Sequence, residues 1–129
     1  MPRFVILRHE LPPDPPRASH WDLMLEQGGV LKTWSLCESP DAEGEVVAEA
    51  LADHRLAYLD YEGQVSGGRG SVTRWDRGTF EIVCWTAGEI AIDLEGERLA
   101  GRVRMVRQAG DDHRWLVSID KPRLTRGGR

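Results

Sequence analysis

The sequence predicts an all-β fold, a small antiparallel β-barrel of about eight to nine strands, and three observations carry that prediction. Short runs rich in β-branched and aromatic residues recur along the 129-residue chain, separated at close intervals by glycine-containing turns. Strong helical periodicity is almost absent, and the alternation of strands with helices that builds a parallel sheet is missing. Many short antiparallel strands leave unpaired edges unless the sheet closes on itself, so a closed or nearly closed barrel is expected.

Taken in order, Arg3 to Arg8 reads as a first strand ending at His9. Glu10 to Ser19 follows, with prolines at 12, 13, 15 and 16 that forbid helix and remove backbone donors, so a stiff loop holds His9 and His20 at its two ends. Trp21 to Glu26 is the second strand, and Gln27-Gly28-Gly29 turns it into Val30 to Leu36 as a hairpin. Cys37 to Gly44 is loop. Glu45 to Ala52 is ambiguous, because Val47, Ala50, Leu51 and His54 fit a helical stripe while Val47, Glu49 and Leu51 fit one side of a strand, and propensity leans to helix.

Asp53 to Tyr58 reads as a turn and Asp60 to Val65 as a short strand. Ser66-Gly67-Gly68-Arg69-Gly70 lacks the Lys-Ser/Thr ending and the following helix of a phosphate-cradling loop. Ser71 to Trp75, a turn at Asp76-Arg77-Gly78, and Thr79 to Trp85 read as another hairpin, followed by a turn at Thr86 to Gly88. Glu89 to Leu94 alternates, Glu95-Gly96-Glu97 turns, and Arg98 to Arg107 alternates strongly, with Arg102 and Arg104 facing away from Val103 and Met105. After a turn at Gln108 to His113 comes a last strand, Arg114 to Ile119. The expected organisation is one barrel domain over residues 1–120 and a basic tail over 121–129, with disorder from Leu124 onward.

A chain of this length buries a continuous core without disulfides, and Cys37 and Cys84 show no paired spacing, so both are expected as reduced, buried thiols. The apolar run at the N-terminus is too short for a signal peptide and no stretch approaches a membrane span, which leads us to expect a cytoplasmic protein, a monomer without membrane contact. The net charge of −4 conceals a split: residues 1–97 carry eight Lys/Arg against eighteen Asp/Glu, and residues 98–129 carry nine against three. The basic third either gathers on one surface and attracts a polyanion, or forms a solvated strand face with a basic tail.

His20 and Asp22 stand two residues apart on the second strand, so they share a face, opposite Trp21, Leu23 and Leu25. An imidazole and a carboxylate so placed, with His9 from the neighbouring strand, can bind one divalent cation with positions left open. The plainer reading is a solvated pair on the wet face of a half-buried strand.

Three blocks together resemble the 3′-phosphoesterase domain of bacterial DNA ligase D. They are Arg3 to His9 with Ser19 to Glu26 and Gly29 to Trp34; Asp53 to Gly63; and Leu99 to Arg107 with Trp115 to Val117, so that the resemblance covers residues 3–120. It implies a small β-barrel with a crescent-shaped groove, in which the segment equivalent to 45–52 is a strand rather than a helix. It also implies a manganese-dependent hydrolase that removes a 3′-terminal ribonucleotide or a 3′-phosphate in DNA repair by non-homologous end joining. The metal ligands it implies are His9, His20 and Asp22, with Mn2+ or another divalent transition metal as cofactor. His54 and Tyr58 are the implied catalytic residues at the phosphate.

The partners implied are DNA or RNA 3′ ends and ligase or polymerase repair proteins. The chain departs from the family where arginine usually stands two residues past the aspartate, at Met24, which cannot bind phosphate bidentately. A family lysine falls near Glu38, the glycine loop is reduced to residues 66–70, and the interval from His9 to His20 is longer. Arg17, Arg55 and Arg69 are candidates to supply the missing positive charge. Two readings remain open: an active phosphoesterase, or a weakened module that binds metal and nucleic-acid ends without turnover.

Overall fold

The computed structural model describes residues 1–11, 19–65 and 67–123, the last three by backbone alone. Among them are nine strands: β1 (Arg3–Glu10), β2 (His20–Gln27), β3 (Val30–Leu36), β4 (Val46–His54), β5 (Gly63–Gln64), β6 (Ser71–Trp85), β7 (Glu89–Gly96), β8 (Ala100–Arg107) and β9 (Arg114–Arg123). All pairings are antiparallel, in the order β1-β2-β3-β4-β9-β8-β7-β6-β5, and β1 also pairs with β6. Eight strands thus close into a barrel, and β5 adds a short ninth strand beside β6. The described residues contain no α-helix, and no helix among them is long and apolar enough to cross a membrane.

Alternation places one side of each strand inside. Phe4, Ile6, Leu23, Leu25, Phe80 and Ile92 belong to the interior cluster, all within 3% of complete burial. The segment expected over 45–52 is strand from Val46 on, as the resemblance implies, because Val46 and Ala48 deliver their apolar side to this interior while Glu49 and Leu51 face outward. Helix propensity loses to the apolar area gained by completing the barrel wall.

A second apolar cluster lies on the outer side of the wall and comprises Val5, Leu7, Met24, Leu31, Leu59 and Val72. A 3-10 turn, Leu56–Leu59, crosses this outer surface, and Leu56 and Tyr58 pack against the cluster. The face of β2 expected to be wet is therefore buried at Asp22 and Met24, which are 4% and 1% exposed. Alternation could not reveal this cover, because the covering residues come from a segment some thirty positions further along the chain.

The turn expected at Asp76-Arg77-Gly78 does not exist: β6 runs unbroken from Ser71 to Trp85, pairing with β1 through its first part and with β7 through its second. Asp76 is buried, and its carboxylate accepts hydrogen bonds from the backbone N–H groups of Arg77 (2.8 Å), Arg98 (2.8 Å) and Leu99 (3.0 Å). A Cβ on Gly78 would stand 2.0 Å from the Glu95 carbonyl oxygen, so the glycine serves close strand approach rather than a turn. Residues 53–58 divide between the end of β4 and the 3-10 turn, and the strand expected over 60–65 shrinks to Gly63–Gln64.

β9 continues to Arg123, and the disordered tail expected from Leu124 lies outside the described residues. Both cysteines are free as expected, but Cys37 is exposed and Cys84 half-buried rather than buried. The arginines of β8 meet acidic residues: Arg102 faces Asp93 at 2.5 Å, Arg104 faces Glu89 at 3.5 Å, and Arg107 faces Asp112 at 2.9 Å. Two of these exposed pairs join β8 to β7 and the third reaches the turn between β8 and β9, so part of the charge split along the sequence is neutralised locally, at little net gain in stability.

Candidate metal centre

His9 and His20 are direct cross-strand partners of β1 and β2, and Asp22 lies opposite Leu7 on the same outer face. The two imidazoles meet edge to face with centroids 4.7 Å apart. Asp22 Oδ2 is 3.5 Å from His9 Nδ1, and Asp22 Oδ1 is 3.3 Å from His20 Nε2. One nitrogen from each ring and one carboxylate oxygen all lie within 4.8 Å of one another.

Asp22 Oδ1 is buried and accepts no hydrogen bond, for the approach of His20 lacks the required alignment. A buried carboxylate oxygen without a donor is costly, and two imidazoles converging on it form the donor set that a divalent transition metal takes. The residues therefore fit such an ion.

The two histidines sit in different environments. Asp22 raises the His9 pKa above its ordinary 6.5, chiefly because the protonated ring can donate to its carboxylate, whereas burial lowers that of His20 below the same value. Burial thus favours the neutral form of His20, the form in which an imidazole can ligate a cation. His9 Nε2 donates to the Arg69 carbonyl oxygen at 2.7 Å, which leaves Nδ1 as the atom facing Asp22.

A cation must displace the proton of His9, so its affinity is expected to rise with pH through and above 6.5. The metal-free protein should behave oppositely, since the stability from a raised histidine pKa is full below 6.5 and is lost as pH rises through the folded value. Calorimetric titration with manganese and thermal melts at several pH values check the two slopes.

The second pair of expected residues also comes together. His54 and Tyr58 pack edge to face at 5.4 Å, and Tyr61, which sequence reasoning missed, packs on Tyr58 at 5.7 Å. His54 Nδ1 donates to the Ala52 carbonyl at 3.0 Å, which directs Nε2 away from the backbone. His54 pairs with Leu31 of β3, a member of the outer cluster, so this pair shares the outer side of the wall with the three candidate ligands. Among the described residues no hydrogen bond or ion pair joins the two groups.

Met24 is a member of that same outer cluster, with Leu59. Arg55 borders a cavity of about 220 Å³ with Tyr58 and Tyr61, and Arg69 reaches the centre through its backbone carbonyl. Arg17 lies outside the described residues.

A larger open cavity of about 570 Å³ begins at His20 and is bordered by Ser35, Glu49, His113 and Arg114. Its size is that of sites for small ligands. Glu49, His113 and Arg114 had no distinguishing signal in the sequence, because β4 and β9 become neighbours only when the barrel closes.

The model of the DNA ligase D 3′-phosphoesterase domain matches residues 14–107 of the chain. The multifunctional non-homologous end joining DNA repair protein LigD of Mycobacterium tuberculosis is 34% identical over 123 residues, covering 88% of this chain and 15% of that protein. The LigD protein of Pseudomonas aeruginosa is 32% identical over 115 residues, covering 76% of this chain and 13% of its own length. That of Mycolicibacterium smegmatis is 29% identical over 131 residues, covering 89% and 16%. The chain thus spans a small part of the curated relatives it matches.

Proposed function

Because the chain belongs to the DNA ligase D 3′-phosphoesterase domain family, we propose that it is a metal-dependent hydrolase that heals nucleic-acid 3′ ends. Its reactions are removal of a 3′-terminal ribonucleoside and of a 3′-phosphate, and the 3′-hydroxyl left behind suits end joining by ligase or polymerase partners. The observation that carries this reading is the convergence of His9, His20 and Asp22 around a buried carboxylate oxygen that lacks a donor.

Manganese, held by one nitrogen of each histidine and by Asp22, would neutralise phosphate oxygens and make phosphorus easier to attack. His20 and Asp22, fixed by the β1–β2 register, set where the ester must sit. His54, its Nδ1–H engaged by the Ala52 carbonyl, presents Nε2 as the nitrogen available to the phosphate, and only the doubly protonated ring would donate from it to the leaving oxygen. Tyr58, braced between His54 and Tyr61, offers a hydroxyl donor to a phosphate oxygen. Arg55, which lines a cavity with Tyr58 and Tyr61, would attract the polyanion.

The buried Met24 favours a second reading, in which the barrel binds metal and 3′ ends without turnover. Its thioether fills an apolar cluster where a family arginine would contact phosphate. Incubation of the protein with manganese and a primer-template ending in a 3′-phosphate separates the two. The first reading expects phosphate release by the parent and none by Asp22→Ala, whereas no release by either, with end binding intact, selects the second. Met24→Arg should increase release if the missing guanidinium limits the rate, while overpacking the outer cluster at a cost of about 2 kcal/mol in unfolding free energy.

A further inference from the structure

We infer that the glycine loop Gly67 to Gly70 is a positioning element of the metal centre, its Arg69 carbonyl selecting the His9 tautomer that presents an unprotonated Nδ1 toward Asp22. The inference rests on His9, His20 and Asp22 being cation ligands, and it concerns how His9 is made ready for that task. A neutral imidazole carries one N–H. At 2.7 Å from a carbonyl oxygen, which can only accept, Nε2 is the nitrogen that carries it. Nδ1, 3.5 Å from Asp22 Oδ2, is then left with its lone pair directed into the centre.

The alternative tautomer would place the proton on Nδ1 and donate it to Asp22. That internal hydrogen bond would occupy both a ligand nitrogen and a ligand oxygen, closing the centre against a cation. The carbonyl on the far side of the ring opposes it, as an outer partner commonly does for a ligating histidine.

Backbone geometry explains why the carbonyl can reach the ring. Gly70 lies against the end of β1 with φ +89°, and a Cβ there would stand 1.9 Å from the Glu10 carbonyl oxygen and 3.0 Å from Leu11 Cα. Both the positive φ and the missing side chain are therefore required. The Gly70 carbonyl accepts from the Val65 N–H at 2.8 Å, tying the loop at its base. Gly44, in the loop before β4, also has a positive φ, +82°, yet nothing lies within 4 Å of the position a Cβ would take. Alanine at Gly44 thus imposes comparable backbone strain away from the loop that meets β1.

Nitrogen-15 imidazole spectra of the metal-free protein in alkaline buffer, with His9 assigned by its loss in His9→Gln, read the tautomer directly. The parent should carry the proton on Nε2, and Gly70→Ala should move part of the population to Nδ1. Calorimetry with manganese alone should show Gly70→Ala about 10–100-fold weaker and Gly44→Ala unchanged. A proton on Nδ1 in the parent, or parent-like affinity in folded Gly70→Ala, overturns the inference. The parent spectrum decides the tautomer even where Gly70→Ala does not fold. Absence of manganese binding by the parent overturns the metal reading instead, and with it the loop's role, even where Nε2 carries the proton.

Discussion

Asp22→Ala should reduce manganese affinity by more than about 100-fold, beyond the loss typical of removing an outer partner, while leaving the metal-free fold within about 1 kcal/mol of the parent. The two expectations have one cause. Asp22 is buried, its Oδ1 accepts no hydrogen bond, and its carboxylate faces two imidazoles at 3.3 and 3.5 Å. Removing it deprives a cation of its anionic ligand. It also removes a carboxylate that the metal-free fold solvates poorly, and an imidazole left without its partner can release a proton instead of remaining a stranded charge. Calorimetric titration gives the first quantity and denaturant melts in chelator the second. A destabilisation of several kcal/mol without metal would mean that Asp22 holds the barrel together and would remove the main support for a metal centre.

Asp76→Ala should show the opposite balance, lowering unfolding free energy by about 3 kcal/mol and leaving manganese affinity unchanged in the folded fraction. Asp76 is buried to a similar degree, but its two oxygens accept from three backbone N–H groups, those of Arg77, Arg98 and Leu99. Alanine would strand these donors inside the wall where β6 passes from β1 to β7. Burial outweighs the hydrogen bonds and raises the Asp76 pKa above 3.8. Its contribution to stability is therefore full below 3.8 and declines as pH rises through the raised value. A guanidinium melt with lower midpoint and unchanged slope would confirm a loss of native-state stability. Near-parent stability would show that water reaches those donors.

The contrast between the two aspartates marks what a one-dimensional reading can see. His20 and Asp22 were legible as a pair because strand alternation places residues two apart on one face, and His9 was legible as their neighbour because the first two strands pair around the proline loop. Asp76 was misread because aspartate, arginine and glycine in succession have the composition of a turn. Only the backbone donors of Arg98 and Leu99, more than twenty residues away, show that the carboxylate is spent inside the wall. Met24 was recognised as a departure from the family, yet its burial depends on the 3-10 turn folded across the outer face.

Local pattern determined the all-β class, most strand positions, the β2–β3 hairpin and the three candidate ligands, because side-chain alternation and turn chemistry act over a few residues. Closure of β1 onto β6, the unbroken length of β6, the covering of the outer face and the Arg69 carbonyl at His9 were decided by tertiary structure alone. Each of these brings together residues distant along the chain, and the last acts through a backbone atom that every residue type possesses. No side-chain pattern encodes where such an atom will lie. For His9 the chain's composition supplies the imidazole, and the folded barrel decides which of its nitrogens is free.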